Sequence, residues 1–254
     1  FAPHAPYTVS DQSLKKIITL AEQLDVQIQM HIHETDDEIN QSIDTCGGRP
    51  LQRLLGLGML SPRLMAVHAT QLEQHEINLM AKYAISVVHC PESNLKLASG
   101  FCPVHELSQA GVNVALGTDG AASNNDLDML GEMRTAALLS KGICNDCTAS
   151  PAYEILRMAT INGARALALE QVTGSVEKGK QADLIAIDLT APETQPLYDP
   201  VSQIVYAAGR EQINHVWVAG RQLLRERELL TVDLQQLMQK AAEWREKIGG
   251  SGLR

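Results

Sequence analysis

The chain of 254 residues is 44% hydrophobic, enough to bury the core of one large domain or of one domain with an appendage, which excludes an intrinsically disordered chain. Its 21 Lys and Arg against 30 Asp and Glu leave a formal charge of −9 with no basic stripe, which argues against a nucleic-acid backbone as partner. Apolar runs such as Val112–Leu116 and Leu184–Ile187 stop far short of the roughly 18 residues a membrane-spanning helix needs, and five scattered cysteines suit a soluble protein of the reducing cytoplasm better than a disulfide-framed secreted domain.

In chain order, Ser10 caps a predicted helix whose Leu14, Ile17, Ile18, Leu20 and Leu24 recur at helical spacing. Val26–His33 then alternates with period two and predicts a strand with Gln27, Gln29, His31 and His33 on one face. The succession continues with helix Arg49–Leu60, strand Leu64–Ala69, helix Leu72–Tyr83, strand Ile85–Cys90, helix Val104–Ala110, strand Val112–Asp119 and helix Asp128–Leu139. Strands alternating with helices predict parallel pairing through right-handed crossovers. A further helix is expected over Pro151–Ala168. Beyond it, the turn-rich Gly174–Asp183 leads to the short β runs Leu184–Ile187, Ile204–Ala207 and Val216–Val218, a small sheet apart from the first. Leu234–Ile248 reads as an amphipathic helix followed by a Gly- and Ser-bearing tail that is expected to fray.

The predicted strands end in residues that bind metals or move protons: His31, His68, His89 and Asp119, with His4 in the same position before the first helix. In a (β/α)8 barrel such ends converge on one mouth, whereas an open doubly wound sheet spreads them along a crevice and ordinarily carries a Gly-rich phosphate turn, which is absent. A barrel is therefore expected. Five strand ends precede residue 120, so the first three strands are expected upstream of Phe1, where the chain opens without an initiator Met or a targeting peptide. The expected division is residues 1–170 as the C-terminal portion of the barrel, 171–232 as part of a small β domain and 233–254 as terminal helix and tail.

His31-Ile-His33-Glu34 is the densest cluster. A lone buried histidine is ordinarily a hydrogen-bonded core residue, and Asp119 alone could be a helix cap. Together with His68 and His89 at neighbouring strand ends, they point instead to a shared metal or proton-transfer site, with Gly117 and Gly120 flanking Asp119 for close backbone approach. Imidazole plus carboxylate suits zinc, with iron and manganese as alternatives, and such an ion brings the pKa of bound water near 7. Glu34, past the strand end, reads as an acid or base or as a solvated loop carboxylate. Cys144 and Cys147 have knuckle spacing without a second pair, His75 and His105 fall in helices, and His215 falls in the terminal sheet. Ser93 and Ser123 lack the context of a hydrolase nucleophile.

Phe1-Ala-Pro-His-Ala-Pro-Tyr7, Met30-His-Ile-His-Glu-Thr35, Val67-His-Ala69, Val88-His-Cys-Pro-Glu-Ser-Asn-Leu-Lys-Leu-Ala98 and Leu116-Gly-Thr-Asp-Gly-Ala-Ala-Ser-Asn-Asn125 resemble the amidohydrolase superfamily, most closely the 5-methylthioadenosine/S-adenosylhomocysteine deaminases of its triazine-hydrolase-like branch. Gly174–Asp183 and Val216-Trp-Val-Ala-Gly220 are similar to the C-terminal half of that family's composite β-sandwich. The resemblance implies an α/β metal-dependent hydrolase barrel, here about strands 4–8, lacking the N-terminal part. It makes His31 and Asp119 ligands of one divalent metal, zinc before iron, manganese or nickel. Glu34 becomes the acid beside the substrate ring, His68 and Asp119 its catalytic companions, and His4, Glu34, His68 and His89 the residues that contact substrate, His4 at the ribose. The family's first-strand His-x-His pair has no counterpart here; His31 and His33 are not that pair, because helix and strand signals precede them and Glu34 follows as in the fifth-strand motif. The implied reaction is hydrolytic deamination, in which activated water attacks C6 of adenine while Glu34 protonates a ring nitrogen and His68 stabilises the new hydroxyl. A guanine, cytosine or triazine hydrolase and an inactive fragment are the alternatives. A nucleoside substrate, the missing N-terminal segment and a homo-oligomer are the implied partners.

Overall fold

The computed structural model describes residues 1–249; the tail Gly250–Arg254 lies outside them. The elements follow as α1 (Asp11–Leu24), β1 (Ile28–Ile32), α2 (Asp36–Cys46), α3 (Pro50–Leu57), β2 (Leu64–His68), α4 (Gln74–Lys82), β3 (Ser86–His89), α5 (Pro91–Lys96), α6 (Val104–Gln109), β4 (Asn113–Leu116), α7 (Met129–Cys144), α8 (Ala152–Met158) and α9 (Ile161–Ala166). After these come β5 (Leu184–Ile187), α10 (Pro200–Tyr206), β6 (Ile213–Val218), β7 (Arg221–Arg225), β8 (Glu228–Leu229) and α11 (Leu234–Gly249).

β1 to β4 form one parallel sheet in chain order, with His31 opposite Val67, Ile32 opposite His68 and His89 opposite Leu116. The expected α/β class and parallel pairing are observed. Extended residues 1–4 run along the outer edge of β1, where the Gln29 and His31 N–H groups donate to the Phe1 and His4 carbonyls at 2.9 Å. The segment ending at His4 pairs with β1 in this way without being a strand of the sheet, which begins at β1. The opposite edge is covered by a side chain: the Asn162 amide of α9 donates to the Val114 carbonyl at 2.9 Å.

Alternation along the strands separates two faces. Ile28, Met30, Ile32, Leu64, Ala66, Ile85, Val87, Val114 and Leu116 join the main core with Leu14 of α1, Leu51 and Leu54 of α3, Met80 of α4, Leu107 of α6 and Met133 of α7. Met65, Ala115 and Ala166 form a smaller cluster on the other face. Residue types at the helix ends match the boundaries: Ser10 and Thr35 accept the Ser13 and Glu38 N–H groups, and Gly47 ends α2 at φ 72°.

Several elements differ from expectation. α2 was not foreseen, since Ile39 and Ile43 are its only long apolar side chains. The span 151–168 is two helices, broken at Thr160 with φ −132° and ψ −101°. Residues 204–206 are helix rather than strand: Asp199 caps α10, Pro200 opens it, and Val205 is buried in the main core. β7 and β8 complete an antiparallel sheet of order β5-β6-β7-β8, in which every strand residue keeps some solvent exposure. Among the described residues no helix is long and apolar enough to cross a membrane.

Ile155, fully buried on α8, touches the core, while Tyr153, two residues away on the opposite face, is 62% exposed. Denaturant titration is expected to show Ile155→Ala losing about 2–5 kcal/mol of stability and Tyr153→Ala changing it by roughly 0.5 kcal/mol or less.

Candidate metal centre

The parallel register places the C-terminal ends of β1, β2 and β4 at the same side of the sheet, with β3 between β2 and β4. One donor atom each from His31, His68 and Asp119 lies within 4.8 Å of the other two. Both imidazoles have their second nitrogen committed: His31 Nδ1 is 3.1 Å from His4 Nδ1, and His68 Nδ1 is 2.8 Å from Asn94 Oδ1. With the Asn94 oxygen accepting, His68 carries its proton on Nδ1 and leaves Nε2 free. Burial, His68 and His4 lower the pKa of His31, against the pull of Asp119 and Glu34, so its ring is neutral at neutral pH and open to a cation.

Asp119 stands three residues past β4 in left-handed backbone at φ 61°. Its Oδ2 accepts the Ser93 hydroxyl at 2.8 Å and also the Ser123 hydroxyl. Burial raises its pKa, but these hydroxyls and the Gly120 N–H outweigh burial and hold the carboxyl below its ordinary range. Gly117 is required beside it: a Cβ there would come within 2.9 Å of Val88 Cγ1, whereas Gly120 has open space around it, so only the first flanking glycine serves close approach.

Glu34 is partly buried, with Oε2 3.7 Å from His68 Nε2 and Oε1 3.4 Å from the Ser99 hydroxyl. Its backbone is fixed by buried Glu38, whose two oxygens accept the His33 N–H at 3.1 Å and the Glu34 N–H at 2.7 Å, and by Thr70, whose hydroxyl donates to the Glu34 carbonyl at 2.7 Å. His4 is exposed, its ring edge-on to His31 with centroids 4.8 Å apart. His89 is 1% exposed behind His68, and burial, then His68, push its imidazole down to about 3.

The expected sharing of one face by His31 and His33 does not occur. His33 is left-handed at φ 57°, past the end of β1, and turns into the body, where its Nε2 accepts the Leu51 N–H at 3.1 Å and its Nδ1 lies 3.1 Å from the Gln71 carbonyl. A ring that accepts at one nitrogen and donates at the other is neutral, so its 3.5 Å approach to Glu76 is no ion pair. Glu76 pairs instead with Arg49, whose Nε and Nη2 each donate to it at 2.9 Å.

Sequence reasoning missed Ser93, Asn94, Ser123 and Glu38. The two serines were weighed only as nucleophiles, while Glu38 sits three residues past the Thr35 cap, a position where an acid reaches back to the preceding loop.

Two imidazoles, each with its Nδ1 engaged by a neighbour, and one ionised carboxylate, all within reach of one point, form a donor set that fits a zinc-like divalent cation. The amidohydrolase family matches residues 1–223. The chain belongs to that family. It is 51% identical to a 5-methylthioadenosine/S-adenosylhomocysteine deaminase of Teredinibacter turnerae, over 98% of this chain and 56% of the relative, and 41% identical to a 5'-deoxyadenosine deaminase of Methanopyrus kandleri, over 98% and 58%. Among solved structures, an adenosine deaminase from Xanthomonas campestris with bound zinc superimposes with a TM-score of 0.97 at 54% identity, covering 98% of this chain and 57% of that one. Atrazine chlorohydrolase from Arthrobacter aurescens complexed with zinc gives 0.90 at 25% identity over 96% and 54%. The chain thus spans a little over half the length of these relatives, and its parallel sheet is that of the amidohydrolase barrel.

The Arg49–Glu76 pair buttresses His33 and offers a pH test. Burial raises the Glu76 pKa, but the Arg49 guanidinium and the Glu73 N–H more than offset it, so the carboxyl titrates below its unfolded value. Its contribution is complete above the unfolded pKa of about 4.3 and is lost as pH falls through the lower folded value. Glu76→Gln is expected to lose about 2 kcal/mol at neutral pH, less than a fully enclosed pair because the Arg49 side chain stays 20% exposed. Stability measured against pH in the variant should then show a shallower decline in acid than the unsubstituted protein.

Proposed function

We propose that the whole protein is a metal-dependent hydrolytic deaminase of adenine nucleosides, converting 5-methylthioadenosine or S-adenosylhomocysteine to the inosine analogue and ammonia. The observation that carries this reading is the meeting of His31, His68 and Asp119 donors with the Glu34 carboxyl beside them. The names of the Teredinibacter and Methanopyrus relatives support it, as does the zinc of the Xanthomonas deaminase.

In this reading His31 and Asp119 hold the ion, with His68 a third donor in reach. A divalent cation there supplies Lewis-acid activation of water at neutral pH. Asp119, kept ionised by the Ser93 and Ser123 hydroxyls, accepts a proton from the attacking water. Glu34 delivers a proton to the adenine ring nitrogen next to C6, which offsets the loss of aromaticity as the carbon becomes tetrahedral. His68 Nε2, 3.7 Å from the same carboxyl, accepts a hydrogen bond from the hydroxyl gained at C6; the proton taken up by Asp119 passes to the amino group, which leaves as ammonia, and the hydroxyl proton returns to Glu34 as the C6 carbonyl forms. His4, exposed at the rim, contacts the ribose. His89, neutral and enclosed, completes the substrate side behind His68.

The same reading divides the chain into a barrel portion over 1–170, a β domain over 171–232 and a terminal helix and tail over 233–254, with α10 returning from the second part to the barrel core. The five unpaired cysteines suit the reducing cytoplasm.

Glu34→Gln, made in the protein expressed from its complete reading frame, separates proton delivery from metal holding. Elemental analysis is expected to find the metal retained, while turnover of 5-methylthioadenosine falls about 10²–10⁴-fold. Loss of the metal would make Glu34 a ligand, and near-normal turnover would leave it a solvated carboxylate.

A further inference from the structure

Glu132 lies in the first turn of α7, fully buried, and is not one of the three grouped donors. Its two oxygens hold two separate segments of chain. Oε2 accepts the Glu92 N–H of α5 at 3.2 Å, and Oε1 accepts the Asn124 side-chain amide at 2.5 Å. Each segment carries the groups that orient the site. From α5, Ser93 reaches Asp119 and Asn94 reaches His68; from the loop after β4, Ser123 reaches the same oxygen of Asp119 as Ser93 does.

We propose that Glu132 is a positioning residue for the metal centre, setting the distance between His68 and Asp119 by tying α5 to the loop after β4. The inference rests on the metal reading of His31, His68 and Asp119. A carboxylate suits this position because both neighbours are donors: one is a backbone N–H and the other an amide NH2 whose own oxygen is already taken by the Leu127 N–H at 3.0 Å. A glutamine would present one acceptor and one N–H2 to two donors, so one contact must break and one buried polar group must go unpaired. The position is not one that burial favours for an acid. Desolvation pushes Glu132 up to about 7 against the two hydrogen bonds, as expected of a group retained for what it connects. Glu92 adds a second link from α5 to α7, its Oε1 accepting the Thr135 hydroxyl at 3.0 Å, and a longer one to the loop after β4, its Oε2 accepting the Asn124 amide at 3.4 Å, but it contacts neither Ser123 nor Asp119.

The test is zinc affinity of the full-length protein, read by competition with a chromophoric chelator well below the thermal transition. Glu132→Gln is expected to raise the zinc dissociation constant about 10-fold, the lower end of what outer-shell partners contribute, and to lower kcat more than it changes KM. Asn124→Ala, which leaves Oε1 without its partner, serves where Glu132→Gln does not fold, and should weaken zinc about 10-fold. Wild-type zinc affinity in the folded single variants overturns the proposal while leaving the metal reading in place. An unsubstituted protein that binds no zinc overturns the metal reading, and the proposal with it.

Discussion

The parallel hydrogen-bond ladder through β1, β2, β3 and β4 is the constraint on which the site depends. Parallel strands in register end at the same side of the sheet, so their C-terminal ends border one space whatever the intervening helices do. With Ile32 opposite His68 and His89 opposite Leu116, the ladder brings His31 and Asp119, 88 positions apart in the sequence, to within one ion's reach of each other and of His68. The helices supply the reason the ladder holds: Leu51, Leu54, Met80, Leu107 and Met133 bury one face of it. A slip of one residue in β1 would turn Gln29 and His31 into that apolar face.

Above the ladder, three buried glutamates fix the loops. Glu38 near the start of α2, Glu76 near the start of α4 and Glu132 near the start of α7 are at most 5% exposed. Each sits near a helix N-terminus, where the unpaired N–H groups favour a negative charge. Each turns that charge on the loop that precedes it or lies beside it: Glu38 on the His33 and Glu34 N–H groups, Glu76 on the Glu73 N–H and Arg49, Glu132 on Glu92 and Asn124. A buried acid satisfied by backbone donors is stiffer than a loop held by exposed contacts, because breaking either bond leaves an unpaired group away from water.

The strands and the ion-binding residues were legible in the sequence because period-two apolar runs ending in His or Asp carry both signals at once. What surrounds them was not. α2 holds its place through Glu38 and Ser42 as much as through Ile39, so its buried face has little apolar periodicity to read. Ile204 and Val205 look like a strand by residue type, yet Asp199 and Pro200 form the start of a helix, and that local signal prevails in the structure. His33 was assigned to the face of His31 by alternation, which ceases to apply once the backbone leaves the strand at Ile32. Ser93 and Asn94 follow a proline-initiated turn of helix, and only the folded geometry reveals that two adjacent side chains reach two different donors of one centre.

The backbone itself marks the site. His33, His68, Ala69 and Asp119 are all left-handed, none is glycine, and all four lie just at or past the ends of β1, β2 and β4. A non-glycine residue in that region costs on the order of 1–3 kcal/mol unless the surroundings determine it. Two of the four are among the three donors that meet, and a third turns aside to receive the Leu51 N–H. Such conformations break the alternation that would continue each strand and send successive side chains to opposite faces. The strain is the geometric means by which a flat ladder aims imidazole and carboxylate at a common point. It persists because the Asn94 amide, the Ser93 and Ser123 hydroxyls and the Glu38 carboxylate hold the aimed residues and the adjoining Glu34 backbone in place.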